Sequence, residues 1–124
     1  MELPGILLVD DEEDFLKAIS IGLKEKGLNV KTAGSGEQAL NVLETFTPEL
    51  VITDLRMQPM NGFDLYQQVR KIPRLAKVRF FFLTGINDSL AEKYGKTLGA
   101  EAYLVKPIDI DMLELTIKKA LKKK

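Results

Sequence analysis

Short apolar stretches that end in a charged residue constrain this sequence more than any other feature. Residues 50–53 are apolar enough to form a strand buried on both faces, which is typical of a parallel sheet, and Asp54 follows them directly. An ionised aspartate is rarely buried unless something compensates its charge. Asp54 is therefore predicted either to cap the next turn in water or to lie in a site that supplies cations. Taken alone, the cap is the simpler interpretation.

The apolar stretches alternate with segments in which apolar residues recur at helical spacing. Strands are predicted over residues 6–9, 29–33, 50–53, 78–83 and 102–105, and a helical pattern follows each of them. Five strands that alternate with five helices through short loops are typical of an α/β fold, in which a parallel sheet is covered by helices on both faces. The 124 residues are the usual size of one domain, so residues 1–124 are predicted to form one.

Local signals mark the predicted helices. Gly27 should end the first helix, and a capping box that spans residues 35–38 should begin the second. The fourth helix carries Leu90, Tyr94 and Leu98, and Gly95 is predicted to make it the least rigid. The last helix is capped by an aspartate, and its inner face is predicted to consist of Ile110, Leu113, Ile117 and Leu121.

The composition narrows the class of function. The 18 basic and 18 acidic residues cancel, so the domain is predicted not to bind nucleic acid or membrane directly. The lysines at 122–124 are interpreted as a solvated helix end. The absence of cysteine and histidine excludes disulfides, zinc–thiolate sites and a phosphohistidine in this chain. The longest apolar runs are far shorter than a membrane span, and residues 1–4 do not resemble the start of a signal peptide. A cytoplasmic protein is therefore predicted.

Reactive side chains follow or end four of the predicted strands. Asp10 and Asp11 follow the first strand, Asp54 the third, Thr84 the fourth and Lys106 the fifth. In an open α/β sheet, ligands bind beyond the carboxyl ends of the strands. Clustered carboxylates repel one another unless a cation joins them, and oxygen ligands without His or Cys suit Mg²⁺. A lysine and a hydroxyl beside a metal are what the oxygens of a phosphoryl group need. Each residue alone could be a cap or a surface charge, but their coincidence at strand ends favours a site.

In this order the motifs resemble the receiver domain of bacterial two-component response regulators. The resemblance covers essentially the whole chain and rests on the motifs Leu8-Val9-Asp10-Asp11-Glu12, Asp54-Leu55-Arg56-Met57, Leu83-Thr84-Gly85 and Leu104-Val105-Lys106-Pro107-Ile108-Asp109. It implies a flavodoxin-like, doubly wound five-stranded parallel sheet in the order 2-1-3-4-5, flanked by five helices. The family usually has proline four residues after the acceptor, where this sequence has Gln58 followed by Pro59. That departure affects the shape of the loop rather than the identity of the acceptor.

The resemblance implies a metal-dependent phosphoryl transfer to Asp54. Its carboxylate would attack the phosphorus of a phosphohistidine on a sensor histidine kinase or a phosphotransfer protein. Asp11, Asp54 and the backbone carbonyl of Arg56 would bind Mg²⁺ directly, and Asp10 would act largely through water.

The resemblance also implies the residues that respond to the phosphoryl group. Lys106 would neutralise one phosphoryl oxygen, and Thr84 would hydrogen-bond another. Tyr103 would be the switch aromatic, which turns inward when Thr84 moves; the alternative is a plain strand residue with its hydroxyl in water. The Lys106-Pro107 bond would be cis, a form that is cheap only before proline.

The predicted function is therefore a response regulator receiver that catalyses its own phosphorylation and dephosphorylation, without being a classical turnover enzyme. The surface of the fourth helix, fifth strand and fifth helix, where Met112 and Leu115 are predicted to be exposed, would bind a partner, an output domain or a second copy. The sequence ends with the fifth helix, so no output domain is predicted in it, and both a stand-alone receiver and one cut from a longer protein are open.

Two other functions are kept as alternatives. The first is a Mg²⁺-dependent phosphatase with an aspartyl intermediate, which also has carboxylates at strand ends. Such an enzyme typically has its nucleophile after the first strand and a second aspartate two residues later; here Asp10 is followed two residues later by Glu12. A degenerate receiver would act only as a binding module, although no site residue of the family is missing.

Overall fold

The computed structural model describes residues 3–122 and contains a five-stranded parallel sheet in the order β2-β1-β3-β4-β5. The strands are β1 (Gly5–Val9), β2 (Asn29–Ala33), β3 (Leu50–Thr53), β4 (Arg79–Thr84) and β5 (Ala102–Val105). The helices are α1 (Glu13–Glu25), α2 (Gly36–Leu43), α3 (Gly62–Arg70), α4 (Ser89–Leu98) and α5 (Ile110–Lys122), with a short 3-10 helix at Pro73–Leu75. The predicted doubly wound α/β fold and its strand order are confirmed. Two of the three lysines of the predicted helix end, at 123 and 124, and the first two residues of the chain lie outside the described residues.

The sheet separates two hydrophobic clusters, and β4 contributes to both. Phe80 and Phe82 are fully buried on the side covered by α2, α3 and α4, where they pack with Tyr66. Phe81 is fully buried on the opposite side, where α1 and α5 cover the sheet and Leu113 packs. Complete burial of a large apolar side chain stabilises a fold by about 1.5–3 kcal/mol relative to exposure. The central strands are therefore apolar on both faces because both faces are covered.

The helix boundaries follow the predicted signals in part. Gly27 has a φ of 87°, which suits glycine, and α1 ends just before it. The Ser35 hydroxyl accepts the N–H of Gln38 at 3.1 Å, but the Gln38 side chain accepts the N–H of Gly34 instead of completing the predicted box. Asp109 caps α5 by accepting the N–H of Asp111 at 3.1 Å. The first helix stop and the last helix cap are thus as predicted, whereas the capping box is half formed.

The buried face of α4 does not consist of its large apolar residues. Leu90 and Tyr94 are 75% and 46% exposed, and the buried residue of the helix is Gly95. A Cβ atom at Gly95 would lie 3.0 Å from the ring of Phe82. Glycine therefore lets α4 approach β4 closely, and this close approach is its structural role.

No helix within residues 3–122 combines the length and the apolar character needed to span a membrane.

Candidate functional site

The sheet holds the candidate residues in place beyond the ends of its strands. Backbone hydrogen bonding continues one residue past β1, β3 and β5: Asp10 donates its N–H to the carbonyl of Ala33, and Asp54 donates to that of Val9 at 3.0 Å. The N–H of Lys106 donates in the same way to the carbonyl of Thr84 at 2.8 Å. Because parallel strands share one carboxyl edge, these residues meet there. Their backbone positions are fixed by the sheet rather than by a free loop.

Lys106 lies at the centre of the site. Its Nζ is 2.7 Å from Asp10, 2.9 Å from Glu12 and 3.3 Å from Asp54, in each case to a carboxylate oxygen. The same nitrogen lies 4.2 Å from the centre of the Phe15 ring, within the range of a cation–π contact. An ammonium group has three N–H donors, and each has a carboxylate acceptor here.

Burial and charge act in opposite directions on these groups. Burial raises the pKa of Asp10, and the hydrogen bonds from Lys106 and from the N–H of Glu12 oppose this rise. Burial lowers the pKa of Lys106, but its hydrogen bonds to Asp10 and Glu12 outweigh that effect and leave the pKa above its usual value. Lys106 therefore stays protonated at physiological pH and can neutralise the buried carboxylates around it.

The carboxylate of Asp54 has a fixed orientation. One oxygen accepts the backbone N–H groups of Leu55 at 2.6 Å and Arg56 at 3.3 Å, and the other faces Lys106. The residue is only 6% exposed. A cavity of about 340 Å³ opens beside it, lined by Asp11, Glu12, Asp54, Arg56, Thr84, Gly85 and Lys106. Five of the residues implied by the resemblance therefore border one cavity, and a carboxylate oxygen is held at its wall.

The carboxylates that converge here are not quite the set that the resemblance implied for direct metal binding. Oxygens of Asp10, Glu12 and Asp54 lie within 4.8 Å of one another. Asp11 is exposed and lines the same cavity, but its carboxylate is outside this group. Three carboxylates without a nitrogen or sulfur ligand have the chemistry that Mg²⁺ prefers, so these residues fit a hard divalent cation.

Glu12 is the site residue that sequence reasoning missed. The sequence assigns Glu12 no role, because its only signal is its position next to the acidic pair. In the structure it stands directly before α1, and its N–H donates to Asp10 at 2.8 Å. Its carboxylate contacts Lys106, which is 94 residues away in the chain. A contact over that separation leaves no local pattern.

Thr84 and Tyr103 are connected through one residue, Ile86. The Thr84 hydroxyl accepts the N–H of Ile86 at 3.3 Å, and the Tyr103 hydroxyl donates to the carbonyl of Ile86 at 2.8 Å. Thr84 is fully buried and Tyr103 is 9% exposed. Burial raises the pKa of Tyr103, with the charges of Asp88 and Glu92 acting in the same direction, so the hydroxyl stays a donor. The Tyr103 hydroxyl is therefore bonded to the backbone in this structure, and its role as a switch stays a prediction.

The loops around the site contain two cis peptide bonds and one close approach between backbone segments. The Lys106-Pro107 bond is cis, and so is the Gln58-Pro59 bond at the departure from the family pattern. Gly62, the first residue of α3, lies so close to β3 that a Cβ atom would be 2.3 Å from the carbonyl oxygen of Asp54. Glycine at 62 is therefore required by a close approach of two backbones.

Comparison with known proteins gives a consistent result. The family model of the response regulator receiver domain matches residues 6–118. The transcriptional regulatory protein AfsQ1 of Streptomyces coelicolor is 30% identical over 98% of this chain and 52% of its own length. The transcriptional regulatory protein GlrR of Escherichia coli is 36% identical over 94% of this chain and 26% of its own length. The chain thus spans about half or less of the length of these curated relatives.

Solved structures are similar over nearly their whole length. The chemotaxis response regulator CheY4 of Vibrio cholerae has a TM-score of 0.88 and 28% identity, covering 95% of this chain and 98% of that one. A response regulator receiver protein from Pseudomonas putida has a TM-score of 0.89 and 32% identity, covering 96% of this chain and 98% of that one.

Proposed function

The chain belongs to the response regulator receiver domain family, whose members act in two-component signal transduction, and we propose that Asp54 is the residue that accepts the phosphoryl group. The observation that carries this proposal is the fixed carboxylate of Asp54 at the wall of a cavity that Lys106 and Thr84 also line. We extend the assignment to residues 1–124 as one receiver domain. The donor would be a phosphohistidine of a sensor histidine kinase or phosphotransfer protein in the cytoplasm, where kinases find their ATP.

The proposed reaction forms one bond and breaks one. A carboxylate oxygen of Asp54 attacks phosphorus, the bond from phosphorus to the donor's imidazole nitrogen breaks, and the imidazole leaves with its electron pair and takes up a proton. The product is an acyl phosphate on Asp54. Lys106 would donate to one phosphoryl oxygen, and the Thr84 hydroxyl, which here accepts from Ile86, would donate its hydrogen to another. Lys106 and Thr84 therefore stabilise the negative charge of the phosphoryl oxygens and do not remove a proton from the phosphodonor.

The proposal is tested by intact mass after incubation with acetyl phosphate and Mg²⁺. Wild-type protein should gain one labile phosphoryl group, and Asp54→Asn should not. Asp14→Asn, which changes an exposed aspartate of α1, is the matched control and should be modified like the wild type. Modification of Asp54→Asn at the wild-type rate would refute the assignment. Turnover of generic phosphate esters would instead support the phosphatase alternative.

We propose Mg²⁺ as the cofactor, bound directly by Asp11, Asp54 and the backbone carbonyl of Arg56, with Asp10 acting largely through water. When bound, the ion would neutralise phosphoryl oxygens and relieve repulsion among the carboxylates. A ligand at ten times its Kd stabilises a fold by about 1.4 kcal/mol, so Mg²⁺ should raise the melting temperature by a few degrees. Asp11→Ala should lose most of this rise, whereas Glu13→Ala should keep it; equal shifts in both variants would mean that the metal binds elsewhere.

We propose that the surface of α4, β5 and α5 carries the output. It presents Met112 and Leu115 on α5, each about half exposed. Tyr103 of β5 connects this surface to the phosphorylation site through Ile86. Its partner would be an output domain, another protein or a second copy, with a coupling of about 1–3 kcal/mol to phosphorylation.

The test is association of the beryllofluoride-treated protein, measured by sedimentation alone and with candidate partners. Leu115→Lys and Tyr103→Ala should weaken it. Ile21→Lys, at a comparably exposed apolar residue of α1, should not. If Leu115→Lys and Tyr103→Ala both associate as the wild type does, the output surface lies on another face.

A further inference from the structure

The three carboxylates that contact Lys106 differ sharply in exposure. The side chains of Asp10 and Asp54 are 1% and 7% exposed, whereas that of Glu12 is 65% exposed. All three contacts are within hydrogen-bonding range, and together they use the three donors of the ammonium group. Lys106 therefore has no N–H left for a fourth acceptor while all three bonds persist.

A phosphoryl oxygen can contact Lys106 only if one of these bonds is released. Asp10 and Asp54 are buried, so losing the cation would leave their charges compensated mainly by backbone N–H groups, which is costly. Glu12 can exchange its bond to Lys106 for bonds to water. Its backbone would not need to move, because its N–H is held by Asp10 at 2.8 Å. The bond to Glu12 is therefore the cheapest of the three to give up.

We propose that Glu12 is a positioning residue that occupies, on Lys106, the hydrogen-bonding place taken by a phosphoryl oxygen during transfer. This inference rests on the proposed function of Asp54 as acceptor. Before transfer, the Glu12 carboxylate satisfies the third donor of Lys106 beside the Phe15 ring. On transfer, it is displaced into water by the incoming anion.

The direction of the effect follows from the other two contacts. Lys106 stays beside Asp54 without Glu12, because Asp10 at 2.7 Å and Asp54 at 3.3 Å still hold it. Loss of the Glu12 charge therefore removes a competitor without releasing the lysine. The variant Glu12→Gln should bind a phosphoryl-like anion more tightly than the wild type does.

A general change in charge near the site has to be separated from this specific competition. Glu13 is the matched control, since it is the next residue, is equally acidic and is exposed in the first turn of α1. Glu13→Gln changes the net charge by the same amount. The difference between the two variants measures the contact of Glu12 with Lys106.

The experiment measures the apparent Kd of beryllofluoride, which forms a phosphoryl-like complex on an aspartate, at Mg²⁺ concentrations that saturate each protein. Glu12→Gln should bind about threefold to fivefold more tightly than Glu13→Gln, the range that one exposed ion pair supplies. In the wild type, the NMR signal of the Glu12 side-chain carboxyl carbon should move on beryllofluoride binding as it leaves Lys106, and that of Glu13 should not.

Equal affinity of the two variants, weaker binding by Glu12→Gln, or an unchanged Glu12 carboxyl signal would each overturn the inference. The carboxyl signal is read in the wild type, so it decides the matter even if Glu12→Gln fails to fold. A wild-type protein that is phosphorylated at Asp54 but gives any of these results would refute this inference alone. A wild-type protein that neither binds beryllofluoride nor is phosphorylated would refute the proposed function and this inference with it.

Discussion

Replacing Lys106 by methionine would remove the ammonium group that contacts three carboxylates while keeping most of the side-chain stem. Two of those carboxylates, Asp10 and Asp54, are buried. Removing one partner from a buried ion pair typically destabilises a fold by about 3–5 kcal/mol, because the remaining charge is uncompensated. The perturbation therefore tests whether Lys106 stabilises the unphosphorylated fold.

The expected loss is smaller than that range because each carboxylate keeps some compensation. Asp10 still accepts the N–H of Glu12, and Asp54 still accepts the N–H groups of Leu55 and Arg56. The adjoining cavity lets water reach Asp54. We expect Lys106→Met to lower the free energy of unfolding by about 2–3 kcal/mol near neutral pH.

The loss should depend on pH with a defined sign. Burial already raises the pKa of Asp10 above its usual 3.8, and removing Lys106 removes two influences that lower it. A carboxyl group whose pKa is raised on folding binds more protons in the folded state, so stability falls as pH rises from 3.8 through the raised pKa. Lys106 itself has a raised pKa, so the stability it contributes is complete below 10.5 and is lost only at more alkaline pH. The gap between wild type and variant should therefore shrink on acidification.

The assay is urea unfolding with a metal chelator at about pH 5 and about pH 7.5. A loss of 2–3 kcal/mol corresponds to a midpoint lower by about 1–2 M for a domain of this size. Lys118→Met is the control, because it breaks a pair with Glu114 in which the lysine is 54% exposed, and it should change stability by less than about 0.5 kcal/mol. A loss that is equal at the two pH values, or larger at the acidic one, would refute the reasoning.

Two further substitutions test the packing that positions the site. Gly62→Ala should destabilise the fold by about 2 kcal/mol or more, because a Cβ atom at 2.3 Å from the carbonyl oxygen of Asp54 forces a backbone shift. The same shift should slow phosphorylation. If urea unfolding shows unchanged stability, α3 is not held against the end of β3. Leu113→Ala should lower the free energy of unfolding by about 2–5 kcal/mol, since the Leu113 side chain is fully buried. Leu115 is 54% exposed, so Leu115→Ala should change the free energy of unfolding by less than about 0.5 kcal/mol. Similar losses in both variants would contradict the assigned orientation of α5.

The sequence predicted features that leave a local pattern. Strands that are apolar on both faces, the stop at Gly27 and the cap at Asp109 are each visible within a few residues. The strand order came from the resemblance, since no local pattern specifies it. The inner face of α5 also follows from periodicity: Leu113 and Ile117 are fully buried, and Ile110 is partly buried.

The features that were missed depend on contacts between distant parts of the chain. The buried face of α4 centres on Gly95, and a residue without a side chain leaves no apolar signal. The Tyr66 hydroxyl donates to the carbonyl of Leu98 at 2.5 Å, which joins α3 to the end of α4 across 32 residues. Glu12 reaches Lys106 across a still larger separation. Only the packed fold brings these groups together.

Each site residue lies at or just beyond the end of a strand, so its position depends on the number of residues in that strand. Deleting one residue within β4 would leave an apolar strand that can still be buried, since Phe80, Phe81 and Phe82 suit either face. The same deletion would draw Thr84 back by about 3.3 Å and turn its side chain to the opposite face of the sheet. We expect such a protein to fold still, but, given the role that we propose for Thr84, to lose its response to phosphorylation. The length of these strands is therefore constrained by the position of the site residues rather than by stability. We expect related sequences to differ by substitutions within these strands and by insertions in the loops between them.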